Sequence, residues 1–162
     1  IYDDNLQRCE SLQALLALTE GFECVGVFHD CSRVLDDMQT MQPNVVLMDI
    51  EMPHVNGING VALIKKQFPE IKIVMQTVFD DDEKIFASLQ AGAEGYILKK
   101  ASAEKITQSI EEVYMGGAYM TPSVALRVMK HFNHHQQQNE SYNLTSKEKE
   151  VLKLLSDGLS YK

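Results

Sequence analysis

Residues 44–50 read NVVLMDI, an apolar run with no polar interruption until Asp49 closes it. Strict alternation of apolar and polar residues would mark a strand with one wet face. A continuous run of this length marks a strand covered on both faces, as at the centre of a parallel sheet. In open sheets of that kind, function collects just beyond the carboxyl ends of the strands. Asp49 stands at such an end.

Working outward from this run, strands and helices alternate. Toward the N-terminus, Ser32 to Met41 reads as a helix and Phe22 to Phe28 as a short strand. Asn5 to Leu18 carries Leu6, Cys9, Leu12, Leu15 and Leu16 at helical spacing. Toward the C-terminus, Pro53 and Gly57 mark a loop, and Asn59 is the expected cap of a helix reaching about Phe68. Then follow a strand at Ile71 to Gln76, a helix at Asp82 to Ala91 and a strand at Gly95 to Leu98. A last helix runs from Ser102 to Met115, with Ile106, Ile110, Val113 and Tyr114 on one face. This alternation predicts an α/β domain over residues 1–117: a doubly wound, five-stranded parallel sheet of flavodoxin-like order 2-1-3-4-5.

Beyond Gly116 and Gly117 the pattern changes. Thr121-Pro122 opens a helix to about Phe132. The His- and Gln-rich stretch Asn133 to Asn143 has too little apolar surface to fold alone, so residues 118–143 read as a linker with one helix. Residues 144–162, LTSKEKEVLKLLSDGLSYK, start a second, all-α domain. Thr145 and Glu148 form a capping box, Val151, Leu152 and Leu155 give one apolar stripe, and Gly158 stops the helix. The reading expects a piece of a longer protein at both ends. Only Ile1 and Tyr2 precede the acidic pair Asp3-Asp4, where a central strand needs about five residues, and the chain stops where another helix should begin.

Composition narrows the function. Apolar residues make up 44% of the 162 and charged residues 23%, as in ordinary folded domains. No apolar run is long enough to span a bilayer and no signal peptide is visible, so a cytoplasmic protein without membrane contact is expected. A net charge of -8 argues against nucleic-acid binding by bulk electrostatics. Cys9, Cys24 and Cys31 include no CxxC and read as reduced core or half-buried residues. His131, His134 and His135 have near-helical ligand spacing but read as part of a solvated linker, and Asp80, Asp81 and Asp82 as the acidic start of a helix.

The chemistry lies at the strand ends. Asp3 and Asp4, Asp49, Thr77 and Lys99 close four different expected strands and therefore face one crevice. Three carboxylates brought together repel one another unless a cation shares the space. An all-oxygen donor set with room for water and phosphate oxygens suits Mg²⁺. One carboxylate can then act as nucleophile on a phosphoryl group, while the metal and Lys99 neutralise its charge.

The acidic pair Asp3-Asp4, the LMDIEMP run around Asp49, the QTVFDD segment with Thr77 and AGAEGYILK ending at Lys99 resemble the receiver domain of two-component response regulators. The resemblance covers residues 1 to about 117. It implies that Asp49 is phosphorylated by a sensor histidine kinase. It implies that Asp4 and Asp49 ligate Mg²⁺ directly, that Glu51 offers its backbone carbonyl and that Asp3 acts through water. Lys99 then pairs with the phosphate, and Thr77 and Tyr96 form the switch pair. Many receivers place proline after this lysine, with a cis bond. Here Lys100 follows, as is common in receivers joined to the DNA-binding type described next.

Leu144-Thr145, Glu148, Glu150-Val151-Leu152, Leu155, Gly158, Ser160 and Lys162 resemble the start of a LuxR-type helix-turn-helix domain. The recognition helix would lie beyond Lys162, so no DNA-contacting residue is named and this stretch is not expected to bind a specific operator. The implied whole is a phosphorylation-switched transcription regulator of the NarL/LuxR type. It would form a homodimer when phosphorylated, reach DNA through its complete C-terminal domain and not be an enzyme. A phosphatase with an aspartyl nucleophile is the competing reading. Such enzymes carry a second aspartate two residues on, where Glu51 followed by Met52-Pro53 stands here. A receiver acting only through protein contacts is a third.

Overall fold

A computed structural model of the protein describes residues 1–78 and 81–139, the last stretch 133–139 as backbone. Its elements are α1 (Leu6–Leu18), α2 (Val34–Met41), β1 (Val45–Asp49), α3 (Gly57–Gln67), β2 (Lys72–Thr77), α4 (Asp82–Ala91), β3 (Gly95–Leu98), α5 (Ala103–Tyr114), β4 (Tyr119–Met120) and α6 (Pro122–Asn139). Residues 1–129 form one compact unit. The expected helix-turn-helix start at Leu144 lies outside the described residues.

The sheet is parallel, in the order β1-β2-β3-β4. This corrects the expected five strands. On the free side of β1, Tyr2 makes single bridges to Met48 and to Phe28, and nothing longer forms there among the described residues. The bridges are sound: Tyr2 N donates to Leu47 O at 2.8 Å, Asp49 N to Tyr2 O at 2.8 Å and Asp3 N to Phe28 O at 3.1 Å. One bridged residue on each side of Tyr2 is short of the run of paired residues that makes a regular ladder. Phe28 stacks on Tyr2 with ring centroids 4.9 Å apart. The spatial sequence Phe28, Tyr2, β1, β2, β3 keeps the expected order, and β4 adds an unexpected edge. Two residues are too short to show a period, and only the pairing of Gly95 with Tyr119 and Tyr96 with Met120 reveals that strand.

Side-chain alternation divides the core. Val46 and Met48 of β1, Ile73 and Met75 of β2, and Tyr96 of β3 face α2, α3 and α4, joined by Val124 of α6. Leu47, Val74 and Ile97 face Leu12 and Leu16 of α1 and Ile106, Ile110 and Val113 of α5. Helices therefore cover both faces, which is why NVVLMDI needs no polar side. Tyr114 leaves the expected apolar face of α5 and is 58% exposed.

Three helix boundaries differ from expectation by two residues or more. Helix α2 starts at Val34, not Ser32, because Ser32 N is held in a turn by Asp30 Oδ1 at 2.7 Å. Helix α6 continues to Asn139, seven residues beyond Phe132 and into the stretch read as linker. The cap of α3 is Asn56, whose Oδ1 accepts from Asn59 N at 2.9 Å, so Gly57 opens the helix and is not a loop residue.

Cys9 and Cys31 are buried and Cys24 is half-buried. Burial pushes the Cys31 thiol up to about 12, and its Sγ donates to Met48 Sδ at 3.5 Å. Reactivity follows the thiolate. A thiol reagent applied to the native protein is therefore expected to label Cys24 first and Cys31 only on unfolding. Peptide mapping after timed alkylation checks this, and equal labelling of Cys31 would refute the packing.

Candidate functional site

Each member of the site is delivered by the end of a different element. The turn after Tyr2 brings Asp3 and Asp4, β1 ends in Asp49, β2 in Thr77, and Lys99 follows β3. Parallel strands end on the same edge, so chain segments far apart in sequence converge. Lys99 N donates to Thr77 O at 2.7 Å, which ties two of these ends together.

Asp3 and Asp49 are held in the same way. Each gives one carboxylate oxygen to a nearby backbone N–H: Asp3 Oδ1 accepts from Asn5 N at 3.0 Å, and Asp49 Oδ1 from Ile50 N at 2.8 Å. Each turns the other oxygen to Lys99, whose Nζ lies 2.8 Å from Asp3 Oδ2 and 2.8 Å from Asp49 Oδ2. The two acids are 0% and 4% exposed, while Asp4 opens to solvent. Burial raises the Asp49 carboxyl above its ordinary range, against the pull of Lys99, and Asp3 adds to the rise. Burial lowers the Lys99 ammonium, but its bonds to Asp3 and Asp49 outweigh this and hold it above the usual lysine value.

Ligand atoms of Asp3, Asp4 and Asp49 lie within 4.8 Å of one another. Three carboxylates against one ammonium leave two negative charges in a half-buried crevice. An all-oxygen donor set carrying that excess fits a divalent hard cation such as Mg²⁺. Asp3, Asp4 and Asp49 are the carboxylates that could hold it. Glu51 turns its side chain away to Lys84 of α4.

Thr77 is 1% exposed at the end of β2, and Tyr96 is 0% exposed, its ring inside the core with Met75, Ile85 and Val124. The Lys99–Lys100 bond is trans, as are the other described peptide bonds. Asp3, Asp4, Asp49 and Lys99 thus meet at one edge, and the backbone of Thr77 is tied to that of Lys99, while Tyr96 lies in the core and the Glu51 side chain pairs with Lys84.

Three neighbours were not foreseen. Gln76, level with Asp49 in the sheet and fully buried, accepts at Oε1 from Arg8 Nη2 at 2.9 Å and fastens α1 to β2. The lone amide in the apolar run IVMQT was its available signal. His29 Nδ1 lies 3.0 Å from Asp3 O. Gly57 lies against the Asp49 backbone: a Cβ there would sit 1.8 Å from Asp49 O.

Comparison with known proteins gives the family. Residues 1–111 match the family model described as response regulator receiver domain. The chain is 33% identical over 171 residues to the transcriptional regulatory protein LnrK of Bacillus subtilis, covering 100% of this chain and 78% of that protein. It is 30% identical to the transcriptional regulatory protein DegU of Brevibacillus brevis, covering 99% and 75%. Among solved structures, a LuxR-family two-component response regulator from Aurantimonas superposes with a TM-score of 0.76 at 23% identity, over 80% of this chain and 93% of that one. The response regulator RcsB of Salmonella typhimurium gives 0.73 at 24% identity, over 97% and 76%. These structural likenesses bear on the fold.

Proposed function

Because the chain belongs to the response regulator receiver family, we propose that it is the phosphoacceptor part of a two-component transcription regulator of the NarL/LuxR type, with Asp49 as the phosphorylated residue. The observation that carries this reading is the single ammonium of Lys99 bridging two buried carboxylates, with Asp4 beside them. An oxygen of Asp49 attacks the phosphorus of a phosphohistidine on a sensor kinase. The P–N bond breaks, and its electron pair returns to the imidazole. Lys99, already 2.8 Å from Asp49, is placed to follow the incoming group and hold a phosphoryl oxygen. Asp4, Asp49 and the Glu51 carbonyl, with Asp3 through water, would hold Mg²⁺, which would supply neutralisation of charge on the transferring group.

The new charge draws the Thr77 hydroxyl toward the phosphate. The buried Tyr96 ring reports that movement to the face formed by α4, β3 and α5. Dimerisation through that face, and DNA binding by the complete C-terminal domain in the cytoplasm, are the proposed output. The arrangement serves regulation and not turnover, since Glu51 is engaged by Lys84 and no second aspartate follows Asp49 as a general acid.

Incubation with acetyl phosphate and Mg²⁺ tests the reading. The expected result is one phosphoryl adduct per chain, stable in acid and labile in base, present in the wild type and missing in Asp49→Asn. An adduct of the same yield in both proteins would refute it.

A further inference from the structure

Lys84 occupies an unfavourable place for a cation, the first turn of α4, where the helix dipole favours acids. Its neighbours obey the dipole and have other tasks. Asp81 caps the helix by accepting from Glu83 N at 3.0 Å, and Asp82 accepts from Arg127 of α6 at 2.8 Å. Lys84 instead reaches across to Glu51, two residues past Asp49, with Nζ 2.5 Å from Glu51 Oε1. The Lys84 side chain is 31% exposed and that of Glu51 54%, so a well-supported cation meets a looser anion. With Ile50, Met52, Asn56 and Ile58 they line an open depression beside the phosphoacceptor strand end. The hydrogen bond to Glu51 holds the ammonium above the usual lysine value, and the charges of Asp81 and Asp49 act on it in the same direction.

We propose that Lys84 is a second phosphate-engaging cation, parked on Glu51 until a phosphoryl donor or the aspartyl phosphate brings its own charge to the site. The proposal rests on Asp49 being the phosphoacceptor. A solvent-exposed Lys–Glu pair is weakly held. A phosphoryl group carries about 1.5 to 2 negative charges and three strong acceptor oxygens, so it competes well with one exposed carboxylate. The exchange draws the first turn of α4 toward the strand end. It thereby gives α4 a direct response to phosphorylation besides the one through Thr77. Glu51 acts as a positioning residue that sets how readily Lys84 is released.

A simple tether and a released cation predict different signs. Phosphorylation by acetyl phosphate with saturating Mg²⁺ is followed in wild type, Lys84→Gln, Lys84→Arg, Glu51→Gln and the Lys84→Gln/Glu51→Gln double variant, at low salt and at high salt. Lys84→Gln is expected to raise KM for the donor about three- to tenfold, and Glu51→Gln to lower it. Lys84→Arg should restore most of the loss, and the double variant should match Lys84→Gln. The Lys84→Gln effect should persist at high salt, because a contact is screened less than a distant charge. Equal shifts of one sign in both single variants would make the pair a structural tether and overturn the proposal. So would an unchanged KM in Lys84→Gln, or an effect that vanishes in salt. A wild type that gains no adduct at Asp49 overturns the phosphoacceptor reading itself, and this outcome is separate from the others.

Discussion

Lys99→Met is expected to lower the melting temperature by about 10 °C at pH 8 without divalent cations, and by much less at pH 5. Methionine keeps the length of the stem and removes the charge. Asp3 and Asp49, 0% and 4% exposed, are then left facing one another without the ammonium that lies 2.8 Å from each. Removing one partner of a buried ion pair costs about 3 kcal/mol, because the remaining charge has lost its water as well as its partner. The direction with pH follows from the two groups. Lys99 binds its proton more tightly in the folded state. Its contribution is therefore fully present below the ordinary lysine value and is lost as pH rises through the higher folded value. Asp49 also holds its proton more tightly when folded, chiefly through burial. The folded state is thus favoured while Asp49 is protonated, and that advantage disappears as pH rises through the folded value. Without Lys99, the Asp49 carboxyl loses the group that pulls it down and is pushed further up, so acid relieves the variant and alkali penalises it. Millimolar Mg²⁺ should recover part of the loss at pH 8, since it offers the crevice the compensating charge. Thermal scans at the two pH values, with and without Mg²⁺, check the prediction. An equal loss at pH 5 and pH 8 would mean that packing of the lysine stem, and not its charge, stabilises the site.

Gly57→Ala is the second large effect. A Cβ at Gly57 would lie 1.8 Å from Asp49 O, 2.8 Å from Asp49 C and 3.0 Å from Met48 Cγ. The first two atoms are backbone of a central strand and cannot rotate away. The expected cost is about 3 kcal/mol or more, with a slower phosphorylation rate at temperatures where the variant is folded, since the displaced residue is the proposed phosphoacceptor. Gly60→Ala is the control from the same helix. Its Cβ would meet Cys31 Sγ at 2.7 Å and Cys31 Cβ at 3.3 Å, atoms of a side chain with some freedom to shift. The expected cost there is about 1 kcal/mol. Denaturant midpoints rank the two, and a smaller loss in Gly57→Ala than in Gly60→Ala would refute the close-approach argument.

Gly57 also shows where reading a sequence stops. In HVNGING, two asparagines each stand at a plausible cap, and local chemistry does not choose between Asn56 and Asn59. The choice is made by contact with β1: Gly57 N donates to Ile50 O at 2.9 Å, and that contact starts the helix at Gly57. Glu51 and Lys84 are a similar case. They stand 33 residues apart in sequence, and nothing local in either segment points to the other. The Arg8–Gln76 bond, across 68 residues, was half visible as a lone amide in an apolar strand, while its partner was not.

By itself the sequence determined the alternation of strands and helices, the two-sided burial of NVVLMDI and the gathering of Asp3, Asp4, Asp49, Thr77 and Lys99 at one edge. Periodicity is a local property, and parallel strands must end on the same side whatever their order. Tertiary structure alone decided which acids are buried, that one ammonium is shared between Asp3 and Asp49, that Tyr2 and Phe28 pair by single bridges, and that Tyr119–Met120 closes the far edge. Those facts depend on distances between residues far apart in the chain. Such distances follow from how the helices pack on the sheet, and no window of neighbouring residues contains them.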